Sequence, residues 1–120
     1  MKVAVCSQGN TLGSLVHERL GRCPYFVVVD TETGAFDVVR NAGVDSAHGA
    51  GVGAVQVLSS QGVDAVLAGN VGPNAFEALA RAGIEVYAVD CETVGEAIER
   101  FRAGLLKKLE TASRPSPRRL

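Results

Sequence analysis

The sequence predicts an α/β domain built on one mixed β-sheet with helices packed over it. Three observations point there. Short β-branched runs recur between Lys2 and Val89, apolar residues at helical spacing separate the later runs, and glycines sit at most of the junctions. The expected order is β-β-β-α-β-α-β-α, a five-stranded sheet flanked by helices.

The elements follow in chain order. Lys2–Cys6 is a short β-branched run and reads as a buried strand; Ser7 to Arg22 is a polar, glycine-bearing connection. Tyr25–Val29 and Ala35–Arg40 read as two strands joined around Thr31–Glu32–Thr33–Gly34, a hairpin. After the glycine-rich stretch Asn41 to Gly53, Val52, Val55, Leu58 and Ser59 follow helical spacing, and Gly62 supplies a stop. Ala65–Ala68 is a short apolar strand. Gly69–Asn70–Val71–Gly72 then turns into a helix with Pro73 near its first position, where a missing N–H costs nothing. Phe76, Leu79 and Ala80 are its expected inner stripe, and Gly83 its end. Ile84–Val89 is the last strand. Thr93–Val94–Gly95–Glu96 has the capping-box pattern and opens a final helix whose stripe is Val94, Ala97, Ile98, Phe101 and Leu105.

Topology follows from connection lengths. The first three strands form a meander, so the second runs antiparallel to its neighbours, whereas the last two arrive through helical crossovers that favour parallel pairing. One edge of the sheet then gathers the ends of strands one, three, four and five and the start of strand two. Open α/β sheets commonly hold ligands at that edge.

Composition narrows the function. At 120 residues, 47% hydrophobic and 21% charged, the chain has the make-up of one soluble domain able to bury a core without disulfides. A net charge of −1 argues against a dedicated nucleic-acid surface. Residues 1–106 form the expected domain; 107–120 are a basic tail with Pro115 and Pro117, expected to be a flexible, solvated terminus. No apolar run has the length of a membrane span, and no signal peptide is visible. An odd number of cysteines without an export signal favours reduced thiols and a cytoplasmic location.

The chain's three cysteines and two histidines all fall at ends or connections of elements on the shared edge. Cys6 closes strand one and Cys23 leads into strand two, with His17 between them. His48 precedes the first helix, and Cys91 follows the last strand. Thiolates and imidazoles gathered beside glycine-rich loops suit a metal or metal–sulfur cluster better than acid–base catalysis. Competing explanations stand beside each residue: Cys6 packing in the core, His17 as a solvated loop histidine, the glycines as tight turns. No CxxC pair is present, so neither zinc-ribbon nor thioredoxin spacing applies. His48–Gly49–Ala50–Gly51–Val52–Gly53 is neither a dinucleotide fingerprint nor a Walker A loop. Its glycines, with those of Gly69–Asn70–Val71–Gly72, still let backbone N–H groups approach an anion. Hydrolytic readings fare poorly: no GxSxG occurs, and the carboxylates are scattered over strand ends and turns.

Together, Leu20–Gly21–Arg22–Cys23–Pro24–Tyr25–Phe26, His48–Gly49–Ala50–Gly51 and Gly69–Asn70–Val71–Gly72–Pro73–Asn74–Ala75–Phe76 carry a resemblance. With the closing Thr93–Gly104 segment, they resemble the dinitrogenase iron–molybdenum cofactor biosynthesis family, the NifX/NafY-like domain also found at the C-terminus of NifB. The resemblance implies a ribonuclease H-like fold without nuclease chemistry. It also implies transient binding of an iron–sulfur or iron–molybdenum–sulfur cluster, or a precursor, and hand-over to metallocluster assembly proteins, some of them P-loop ATPases. It transfers no fixed ligand set. Leu20 stands where a phenylalanine is common in the family's motif, a packing change.

The function expected is therefore a non-enzymatic carrier or accessory protein. Cys23, Cys91 and His48 are the preferred ligands, and Cys6 and His17 secondary ones. Gly21, Arg22, Gly49, Gly51, Gly69, Asn70 and Gly72 are the expected cofactor-binding residues. No nucleic acid or membrane partner is expected. The alternative is a small-molecule or nucleotide-binding regulatory domain using the same loops on a phosphate. A third possibility is an interaction module without a ligand.

Overall fold

A pleated backbone seats β-branched side chains on both faces, and this chain's central strands use both. A computed structural model describes residues 1–42, 50–90 and 93–110. In chain order it contains β1 (Lys2–Ser7), β2 (Tyr25–Asp30), β3 (Phe36–Arg40), α1 (Ala50–Ser60) and β4 (Ala65–Ala68). α2 (Pro73–Arg81), β5 (Glu85–Ala88), α3 (Val94–Arg102) and β6 (Lys107–Lys108) follow. Alternate residues of β1, β2 and β4 divide the core in two. Ala4, Cys6, Phe26, Val28, Val66 and Ala68 pack with Leu58 of α1 and Leu79 of α2. Val3, Val5, Val27, Val29, Ala65 and Leu67 pack with Val94, Ala97 and Ile98 of α3. Helices thus cover both faces.

The sheet order is β3-β2-β1-β4-β5-β6. β2 is antiparallel to β1 and β3, and β1, β4 and β5 are parallel, as the connection lengths require. The five strands expected become six. Lys107–Lys108 pairs antiparallel with β5, Ala88 opposite Lys107 and Tyr87 opposite Lys108, and Leu109 N–H donates to the Val86 carbonyl at 2.8 Å. Two lysines carry no periodic pattern, so nothing in the sequence marks this strand. A polar clasp holds it instead: Glu85 accepts from the Tyr87 hydroxyl at 3.0 Å and from Lys108 Nζ at 3.3 Å. Those two donors, the hydroxyl first, hold the Glu85 carboxyl below its usual range. The strand lies past residue 106, inside the stretch expected to be tail.

Two helical stripes also depart from expectation. In α2 the buried pair is Ala75 and Leu79, one helical turn apart, while Ala80 is exposed. α3 stops before Leu105 because Gly104 takes φ +74, a conformation suited to glycine, and leaves Leu105 72% exposed. The capping box is present: Thr93 Oγ1 accepts from Glu96 N–H at 3.2 Å, and Glu96 Oε1 accepts from Thr93 N–H at 3.0 Å. Thr93→Ala is expected to lower unfolding free energy by about 1 kcal/mol with an unchanged denaturant slope, measured by urea titration. Among the described residues no helix is long and apolar enough to cross a membrane.

Candidate functional site

The connection from Gln8 to Pro24 runs across the sheet edge where β1, β3, β4 and β5 end and β2 begins. It is tied down at several points. Gln8 N–H donates to the Leu15 carbonyl at 2.9 Å and His17 N–H to the Cys6 carbonyl at 2.8 Å. Leu20 N–H reaches the Asn70 carbonyl at 3.3 Å, beside a parallel bridge between Arg19 and Asn70. The carbonyls of Ser14 and Leu12 accept from Val94 and Gly95, so the connection also seals the N-terminus of α3. Leu20, 2% exposed, anchors the far end in the core. An apolar anchor flanked by Arg19 and Arg22 forces those two cations outward.

Between these tethers lies a cavity of about 490 Å³ lined by Gln8, Leu15, Val16, His17, Glu18, Arg19 and Arg22. Its charge is mostly positive: two guanidinium groups against one carboxylate. Among the described residues neither Arg19 nor Arg22 has an ion-pair partner. His17 Nδ1 accepts from Arg19 N–H at 3.0 Å. An imidazole whose Nδ1 accepts carries its proton on Nε2 and so offers a donor there rather than a lone pair for a metal. The arrangement suits an anion held by N–H groups.

The neighbouring loop adds backbone to that set. Gly69 and Asn70 pass directly beside Glu18 and Arg19; a Cβ on Gly69 would lie 2.9 Å from Glu18 Cα. Gly72 is the N-cap of α2 and supplies no side-chain hydrogen bond, and Pro73 follows at the first helical turn. This leaves first-turn N–H groups of α2 pointing out of the helix start.

The structure gathers only part of the expected set. His17 and Arg22 line the cavity, Gly69 and Asn70 pack against its Glu18–Arg19 wall, and Gly21 and Gly72 are not among its lining residues. Cys6 and Cys23 do not open onto it: both have zero exposure and sit in the core layer beneath α1 and α2. Burial first, then the neighbouring Cys23, pushes the Cys6 thiol well above its usual range. Cys23 Sγ donates to the Leu20 carbonyl at 3.4 Å, and the fully buried Asn41 donates through Nδ2 to the Cys23 carbonyl at 2.9 Å. Gly51 and Gly53 lie in the first turn of α1, which begins at Ala50, rather than in a loop. His48, Gly49 and Cys91 lie outside the described residues. No cluster of three metal-ligating side chains occurs among the described residues. Arg19 and Asn41 were not anticipated. A second arginine three residues before Arg22 was the available signal for the first; a lone asparagine after a strand gave none for the second.

Fold and site together define a class: α/β proteins whose sheet edge carries a loop-built basic cavity. The chain belongs to the dinitrogenase iron–molybdenum cofactor family, whose model matches residues 1–104. It is similar to the orange protein of Desulfovibrio gigas, solved in its apo form, with 41% identity and a TM-score of 0.91 over 94% of this chain and 96% of that one. A Thermotoga protein described as a candidate NifB of the DUF35 family is 45% identical, with a TM-score of 0.83 over 96% of this chain and 98% of that one. An uncharacterised protein of Methanocaldococcus jannaschii is 30% identical over 113 residues, 92% of each chain.

Proposed function

We propose that this chain binds an iron–sulfur or iron–molybdenum–sulfur cluster, or a precursor, transiently at the basic rim cavity, as a non-enzymatic carrier or accessory protein in metallocluster assembly. The observation that carries the reading is the cationic wall of Arg19 and Arg22, without ion-pair partners among the described residues, with His17, around a cavity of about 490 Å³. Sulfide-rich clusters are commonly anionic and accept hydrogen bonds at sulfur, which is what N–H donors at such a rim can satisfy. Cys91 and His48 belong by chain order to connections at this same edge and would supply direct ligation.

Family membership and the likeness to a candidate NifB protein support a role in iron–molybdenum cofactor biosynthesis. The order β3-β2-β1-β4-β5 with β2 reversed supports the ribonuclease H-like reading of the core. A cytoplasmic location and hand-over to assembly proteins, P-loop ATPases among them, complete the proposal. An open, loop-built site favours release over permanent retention.

Anaerobic reconstitution with iron, sulfide and molybdate tests it. The expected result is stoichiometric metal with charge-transfer absorption, lost on adding a chelator. Protein that emerges colourless and metal-free, yet is stabilised by a nucleotide in a thermal-shift screen, would instead support the regulatory-domain alternative.

A further inference from the structure

We propose that the outer edge of β3 is a homodimer interface, where a second copy of this chain adds its own β3 antiparallel about a two-fold axis at Val38. β3 ends the sheet on one side and β6 on the other. The two edges differ in how they guard against strand addition. β6 is two residues long and both are lysines, a short charged edge that repels further pairing. β3 runs from Phe36 to Arg40, and among the described residues no strand pairs with its outer side. Phe36 and Val38 are 42% and 36% exposed. They lie opposite Val29 and Val27 of β2, which belong to the core layer under α3, so they carry that apolar layer out to the edge.

Register selects a second copy as the occupant. Asp30 N–H donates to the Ala35 carbonyl and Asn41 N–H to the Pro24 carbonyl, each at 2.9 Å. By antiparallel alternation, Ala35, Asp37, Val39 and Asn41 spend their backbone groups on β2, while Phe36, Val38 and Arg40 turn theirs outward. A two-fold at Val38 sets Val38 against Val38 and Phe36 against Arg40 of the second copy. Every outward-facing residue of the strand then exchanges both N–H and carbonyl with the copy. Each Arg40 guanidinium also meets the other copy's Phe36 ring on the same face, a cation–π pair made twice.

Neighbouring registers forfeit this match. Centring on Asp37 sets that carboxylate directly against its copy, and like charges face to face are destabilising. Centring on Val39 puts Phe36 opposite Ala42, beyond the end of the strand. In the Val38 register Asp37 faces Val39 and meets its own copy only diagonally, about 7–8 Å away. The contact is isologous and closed, and it removes both copies' longer edge from solvent. A strand edge this short is a small interface, below about 1,200 Å² in total, so association is weak and concentration-dependent.

The test is sedimentation equilibrium of the full, reduced chain from about 10 μM to about 1 mM, with amide hydrogen exchange at both ends of that range. The mass is expected to move from one chain to two. Exchange at Phe36, Val38 and Arg40 should slow in the concentrated sample, while Asp37 and Val39, already bonded to β2, stay as they were. Val38→Lys sets two like charges face to face, and Arg40→Glu removes the cation from Phe36. Each should weaken association at least about tenfold and leave the melting temperature of dilute protein unchanged. A monomer at every concentration would overturn the proposal and leave this edge to another protein's strand. A dimer whose Phe36, Val38 and Arg40 amides exchange as in the monomer would overturn it too, as would growth beyond two chains. No metal enters these measurements, so their failure is distinct from failure of reconstitution.

Discussion

Gly69→Val is expected to displace the site wall and lower the melting temperature by about 5 to 15 °C, because the position has no room for a side chain. A Cβ there would stand 2.9 Å from Glu18 Cα, 3.0 Å from its carbonyl oxygen and 3.3 Å from its carbonyl carbon. All three are backbone atoms, so no rotamer change relieves the contact. Leu20 N–H is bonded to the Asn70 carbonyl at 3.3 Å, so the two segments cannot separate without breaking that bond. Relief requires moving Glu18 and Arg19 away from β4, and with them one side of the cavity. Thermal denaturation gives the stability change; amide chemical shifts confined to residues 17–21 and 68–71 give the displacement. Gly72→Ala is the control, since a Cβ at Gly72 meets nothing within 4 Å. A Gly69→Val protein with unaltered shifts in both segments would show that the contact does not shape the rim.

How much of this was legible in the sequence depends on which physical signal each feature leaves. The meander, the crossovers and the shared edge were readable because period-2 and period-3.6 patterns and connection lengths determine strand direction. The Lys107–Lys108 strand was not, since its stability comes from the Glu85 clasp and edge pairing rather than from a pattern. Cys6 shows a different limit. β1 is buried on both faces, so its sequence has no polar face against which the cysteine's direction can be read. Its direction follows from parity with Ala4, under α1 and α2, and that assignment needs the helices to be in place. Cys23 goes inward because Asn41, eighteen residues later, holds its carbonyl. Arg19 lies in a polar connection with no period; its outward direction depends on Leu20 being anchored in the core beside Asn70.

Arg19→Glu with Arg22→Glu is expected to weaken cluster retention by about 100-fold or more at low salt, with little change in stability. The double variant turns two positive charges into two negative ones at the mouth of the cavity. Like charge set against an anion costs several kcal/mol across a desolvated contact and less where water screens it. About 100-fold corresponds to about 2.7 kcal/mol, a modest demand on two reversed charges at partly exposed positions. Stability should hold because neither arginine has an ion-pair partner among the described residues and both are largely exposed. The deficit should narrow as salt rises and the Debye length shrinks to a few ångström, whereas direct metal–thiolate ligation would be insensitive to salt. Arg19→Lys with Arg22→Lys separates charge from shape: it keeps the positive potential but loses the planar fork, so intermediate retention indicates that guanidinium geometry contributes. Metal content after anaerobic gel filtration at two salt concentrations reads all of these outcomes. A charge-reversed chain that loads and keeps metal as the natural sequence does would move the cargo off this rim, leaving Cys91 and His48 as its only proposed holders.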